Sequence, residues 1–157
     1  MTRGVCSHYT YPTPYGPLTI GVRGERVRAV VLGRTRLEGE FKPTELANRC
    51  ANELMEYFAG KRTAFDVPVE IDGTAFQRSV WETIGNIPYG QTRTNEEIAH
   101  AVGSPRSYRM IGSVVRKNPL AVIVPTHRVV GANGRIAGSG DDGRLRSALL
   151  EFERRHA

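Results

Sequence analysis

Between residues 7 and 32 apolar and polar side chains alternate, and Val27, Ala29 and Val31 carry the two-residue period to its end. Successive strand side chains point to opposite faces, so this period predicts strands with one buried face. Pro12, Pro14, Gly16, Pro17 and Gly24 interrupt it where hairpin turns belong, which predicts a small antiparallel sheet. From residue 44 to 59 the period changes. Leu46, Leu54, Met55 and Phe58 recur at helical spacing and Gly60 follows, so a helix with a glycine stop is expected. Phe65 to Val69 reads as a short extended closing segment.

Beyond Ile71 the helical period dominates. Thr74 is placed to cap a helix whose apolar face is Phe76, Val80, Trp81 and Ile84. Pro88 to Gly90 reads as a turn. Thr94 and Glu97 have the spacing of a capping box, predicting a short helix through Val102. Gly103 to Pro105 makes a tight turn into a second helix, Ser107 to Lys117, ended by Asn118 and Pro119. Two short helices joined in this way form a helix-turn-helix candidate. The apolar run 120–124 reads as buried, Gly131 to Gly134 as a turn that makes a small wing, and 144–154 as a final helix. The fold class is therefore α+β. Residues 1–70 form an N-terminal sheet-and-helix domain, and 71–157 a helical domain with the helix-turn-helix and wing.

Composition narrows the function classes. At 39% hydrophobic and 24% charged the chain is of ordinary globular type. It has no apolar run near the roughly 20 residues that span a bilayer and no signal-peptide core, so a cytoplasmic protein with no membrane partner is expected. The formal net charge of +6 favours polyanionic partners. Arg106, Arg109, Arg116, Lys117 and Arg128 fall in one stretch, while acids and bases nearly balance before residue 70. Cys6 and Cys50 are too few for a disulfide framework. Cys6, His8 and Cys50 are zinc-ligand types, but no CxxC pair accompanies them, so no metal and no cofactor are expected.

The richest chemistry lies in Pro125, Thr126, His127, Arg128 and Val129. A Pro-X-His-Arg-Val stretch after an apolar run resembles the active-site signature of the O6-alkylguanine-DNA alkyltransferases, in which X is cysteine. Other segments carry the same resemblance: Thr13 to Thr19, Tyr57 to Lys61, Phe76 to Trp81, Ile87 to Thr92, the Asn118-Pro119 pair and Leu149 to Glu153. Together they cover nearly the whole chain.

The resemblance implies a ribonuclease-H-like N-terminal domain and a C-terminal domain whose second helix enters the minor groove. Arg109 matches the arginine that fills the space of a flipped nucleotide. His127 and Glu153 match the pair that deprotonates the cysteine, and Asn118 the residue bracing the turn. Ser107, Arg116, Lys117 and Arg128 are grouped as DNA-contacting positions, although Arg128 also has a structural reading, tying the motif to neighbouring carbonyls, which is the role the resemblance implies. Val129, Ser139 and Gly140 fall in the lesion pocket. Four departures stand out. Thr126 replaces the acceptor cysteine, Asn95 a tyrosine that contacts the flipped nucleotide, and Ser139 a pocket tyrosine; Asp141 and Asp142 follow in place of paired glycines.

Neither Cys6 nor Cys50 lies in a motif that would activate it in place of the missing thiol. The resulting expectation is a monomeric, non-catalytic lesion binder of the alkyltransferase-like kind. It would recognise double-stranded DNA containing O6-alkylguanine and signal to nucleotide excision repair proteins. The alternatives are an enzyme using His127 and Glu153 on a small molecule, with Asn95, Ser139, Asp141 and Asp142 as contacts, and a DNA binder indifferent to damage.

Overall fold

The computed structural model describes residues 4–136, 138 and 140–157. These fall into two compact units, Met1–Asp72 with Pro119–Ile123, and Gly73–Asn118 with Val124–Ala157.

In the first unit the alternating stretch forms β1 (Cys6–Tyr11), β2 (Leu18–Arg23) and β3 (Arg26–Leu32), joined antiparallel. The register sets Tyr9 opposite Ile20 and Tyr11 opposite Leu18. Leu18, Ile20, Val27 and Val30 are each at most 1% exposed. Each such side chain removed from water contributes about 1.5–3 kcal/mol. The sheet has a fourth member that the alternation did not reveal. β4 (Glu40–Phe41) pairs parallel with β1, so the order is β3-β2-β1-β4 and one edge is parallel.

α1 (Glu45–Phe58) begins at Thr44, whose hydroxyl accepts from Ala47 N, and Gly60 follows it at φ 76. Its buried face is Ala47, Cys50, Ala51, Leu54, Tyr57 and Phe58. Glu53 on the same helix is 4% exposed and accepts from the amides of Asp66 and Val67, which fixes the extended segment after the helix. Leu120 and Ala121, from the later apolar run, continue the unit. Val30 N donates to Pro119 O at 2.9 Å and Ala121 N to Val30 O at 3.1 Å.

The second unit is mostly helical. α2 (Ala75–Gly85) opens with a reciprocal Thr74–Gln77 capping box and buries Val80, Trp81 and Ile84. The Trp81 indole donates to Val114 O at 3.1 Å. β5 (Arg93–Thr94) leads into α3 (Asn95–Ala101), which has the expected Thr94–Glu97 box. A 3-10 turn at Pro105–Ser107 precedes α4 (Tyr108–Arg116), so that helix starts one residue later than its sequence suggests. Pro105 explains the delay, because it favours a first turn but donates no amide.

β6 (Val129–Val130) pairs parallel with β5, and the 131–135 turn beyond it closes through Gly131 N to Arg135 O at 2.8 Å. α5 (Gly140–His156) begins four residues earlier than expected, taking Asp141 and Asp142 into its first turn. Acids there complement the helix dipole, a signal that their reading as pocket residues overlooked. Among the described residues no helix is long and apolar enough to cross a membrane.

Candidate functional site

The motif occupies a 3-10 turn, Thr126–Arg128, entered through constrained backbone. Val122 has φ 71, with Ile123 N bonded to Ala121 O at 2.8 Å, a three-residue turn of the rare positive-φ kind. A β-branched residue there costs about 1–3 kcal/mol. Pro125, at φ −80 and ψ 67, adopts the common mirror form, with Thr126 N bonded to Val124 O at 2.8 Å. Asn118 Nδ2 donates to that same Val124 carbonyl at 3.1 Å. Proline removes one donor and fixes one φ, and the asparagine amide occupies the carbonyl. The turn carrying Thr126 is therefore held from both sides.

Thr126, His127 and Arg128 are buried, and Glu153 of α5 meets the last two. His127 Nε2 lies 2.6 Å from Glu153 Oε2. Arg128 grips the same carboxylate at both oxygens, Nε to Oε1 at 2.8 Å and Nη2 to Oε2 at 2.9 Å, and its Nη1 donates to Ile87 O. Gly90 N completes the set at 3.0 Å from Oε1. A fully buried carboxylate is tolerated only with such saturation. Because an ionised carboxylate only accepts, neutral His127 carries its proton on Nε2 and Nδ1 is the basic nitrogen. Burial pushes the His127 pKa below the ordinary imidazole value, outweighing the upward pull of Glu153. His127 is thus a neutral, oriented base.

Arg128 requires a correction. Grouped with the DNA-contacting residues, it is instead 7% exposed and committed to Glu153 and Ile87 O, so it holds the motif and does not present charge to a phosphate. Arg109, Arg116 and Lys117 are exposed on or just after α4. The Arg109 guanidinium rests 5.8 Å from the ring centre of Tyr108. Ser107 is half-buried at the start of that helix.

Asn95, Arg116 and Val129 are brought together around a cavity of about 20 Å³, room for roughly one water. Arg146 joins them. It is 5% exposed, pairs with Asp142 at 2.9 Å, and its charge helps to lower the His127 pKa. The sequence reading missed it, although the Asp142–Arg146 spacing on one helix was a usable signal. Gly140 starts α5 at φ 81. Ser139 lies outside the described residues.

Residues 7–71 match the family model described as 6-O-methylguanine DNA methyltransferase, ribonuclease-like domain, and residues 75–155 match that of its DNA binding domain. The chain belongs to the 6-O-methylguanine DNA methyltransferase family. The methylated-DNA–protein-cysteine methyltransferase of Mycobacterium tuberculosis H37Rv is 38% identical over 159 residues, covering 96% of this chain and 94% of its own. The constitutive methylated-DNA–protein-cysteine methyltransferase of Bacillus subtilis is 36% identical over 154 residues, covering 92% and 93%. The crystal structure of M. tuberculosis OGT in complex with DNA superposes with a TM-score of 0.88 at 38% identity, covering 96% of this chain and 94% of that one. In this chain the motif turn carries Thr126 between Pro125 and His127, next to the His127–Glu153 pair.

Proposed function

We propose that this member of the methyltransferase family is a non-catalytic lesion-binding protein, which binds double-stranded DNA at O6-alkylguanine, flips the damaged base, and passes the site to nucleotide excision repair. The observation that carries the reading is Thr126, buried in the motif turn beside an oriented His127–Glu153 pair. Displacement at an alkyl carbon needs a thiolate. A histidine near neutral pH can supply one from cysteine, but cannot ionise a threonine hydroxyl to a useful extent. Neither cysteine replaces it: burial raises the Cys50 thiol to about 12, and Cys6 lies on β1.

In this reading residues 1–70 form a supporting domain and 71–157 the DNA-binding one. Arg109 fills the space of the flipped base; Asn95, Ser107, Arg116 and Lys117 face the DNA; Val129 and Gly140 line the lesion pocket. That a relative of 38% identity is described in complex with DNA supports DNA as the partner. A monomer suffices for this work. The small-molecule enzyme has less support, because a general base must reach its substrate and His127 is 1% exposed.

The test is equilibrium binding to matched duplexes differing in a single O6-methylguanine, followed by the intact mass of the protein. Preference for the lesion with unchanged mass is expected. Arg109→Ala should weaken lesion binding about tenfold or more, equivalent to about 1.4 kcal/mol. Thr126→Cys should acquire one methyl group on the same duplex. A methyl gain by the native chain would overturn the proposal, and equal affinity for both duplexes would favour a damage-indifferent binder.

A further inference from the structure

We propose that the face of the first unit's sheet turned away from α1 holds a nucleotide-binding cleft, separate from the lesion site. The β1–β2 register assigns the faces. Tyr9 and Tyr11 lie with Ile20 and Leu18, and the Tyr11 hydroxyl reaches Asn48 of α1. His8 and Thr10 lie opposite Gly21 and Thr19 and so point the other way. The chain between β3 and β4 crosses this second face. Thr35 N donates to Thr19 Oγ1 at 3.1 Å, and Gly39, at φ 95, passes so near β1 that a Cβ there would collide with Cys6 O.

Between this segment and the strands lies a cavity of about 490 Å³, within the size range of small-molecule sites. Its walls carry the two chemistries a nucleotide needs. Phe41 is 57% exposed, with the Tyr9 ring 4.9 Å and the His8 ring 5.3 Å from its centre, so a flat apolar face is held open to solvent. Arg34 and Arg36 line the same cavity, both exposed.

Arg23, Arg28, Arg49 and Arg62 of this unit are in ion pairs, whereas among the described residues Arg26, Arg34 and Arg36 are in none, and of these Arg26 donates to Val69 O at 3.2 Å. Glu40, the one acid among the described residues that line it, is offset by Lys42 at 3.3 Å. At the floor His8 is 3% exposed and its Nδ1 has no hydrogen-bond partner. An unmet buried polar group beside a cavity marks a place that a ligand or the water it brings completes. The base lies against Phe41 and the phosphate between the two guanidiniums, with Thr10 and Thr35 hydroxyls beside them.

A free mononucleotide and an unpaired nucleotide of single-stranded DNA share this chemistry. The experiment titrates the whole chain with dGMP and with a short single-stranded oligonucleotide, read by amide chemical shifts and calorimetry. Saturable dGMP binding is expected, with shifts at His8, Thr10 and Thr35. Deoxyguanosine and inorganic phosphate should each bind about tenfold more weakly, as should dGMP to Phe41→Ala and to the Arg34→Ala/Arg36→Ala pair.

Competition between dGMP and the oligonucleotide identifies single-stranded DNA as the source; oligonucleotide binding indifferent to these substitutions identifies the free nucleotide. Arg109→Ala should leave the dGMP affinity unchanged, which separates this site from lesion recognition. Absence of saturation by both probes, or saturation unaffected by both variants with shifts elsewhere, overturns the proposal.

Discussion

His127 and Glu153 pose an electrostatic problem that the fold resolves in one direction. A protonated imidazole 2.6 Å from a carboxylate would ordinarily be favoured, yet Arg128 already neutralises Glu153 through both oxygens. Desolvation at 1% exposure outweighs the upward pull that Glu153 still exerts on His127, repulsion from Arg128 and Arg146 adds to it, and the pKa is lowered. The consequence for stability has a definite sign. In the unfolded chain a histidine takes up its proton near pH 6.5, while folded His127 resists it. As pH falls through that value the unfolded state binds the extra proton, so stability drops by at most about 1.4 kcal/mol per pH unit from this residue. Urea unfolding between about pH 7.5 and 5 should therefore show a steeper loss for the native chain than for His127→Gln, which retains a donor but cannot titrate. Parallel curves would mean that the imidazole titrates in the fold as it does in the unfolded chain, and a shallower loss for the native chain that it is charged in the fold.

The helices show why some elements were legible and others not. Thr74 with Gln77 and Thr94 with Glu97 announce two helix starts through side chains that reach their own backbone, a purely local code. Thr94→Ala should cost about 1 kcal/mol and fray α3 first, seen as faster amide exchange at Glu96 and Glu97 than in α2. Unchanged exchange there would show that β5–β6 pairing, not the cap, holds the helix start. By contrast, β4 is two residues long and exists only because Ser7 and His8 offer it an edge, information that no local period holds. Arg128 was misplaced for a similar reason. Beside a basic helix an arginine reads as a phosphate ligand, and only the approach of Glu153 from 25 residues away turns it inward. The motif turn itself was legible, because Pro125 and Asn118 act within a few residues of Thr126. For Arg146 only the pairing with Asp142 was legible, since its neighbours around the small cavity come from separate segments.

A net charge of +6 overstates how much of this molecule is available to DNA and understates how concentrated that part is. Arginines 23, 28, 49, 62, 128, 144 and 146 are paired with acids, so much of the basic content is spent within the chain. On α4 the arrangement differs. Ile111, Val114 and Val115 face the core, Arg109 is exposed on the helix, and Arg116 and Lys117 are exposed at its end, without an acidic residue in its first turn. Each phosphate neutralised by such a residue adds about 0.9 to the slope of log affinity against log salt. The Arg116→Ala/Lys117→Ala pair should thus flatten that slope by about two and leave the ratio of damaged to undamaged affinity unchanged, measured by anisotropy over a potassium chloride series. Arg109→Ala should do the reverse, reducing the ratio more than the slope, because in the proposed function it fills a vacated stack. If both variants altered slope and ratio together, α4 would be acting as an undifferentiated basic surface, and lesion recognition would have to be sought at Asn95 and Val129 instead.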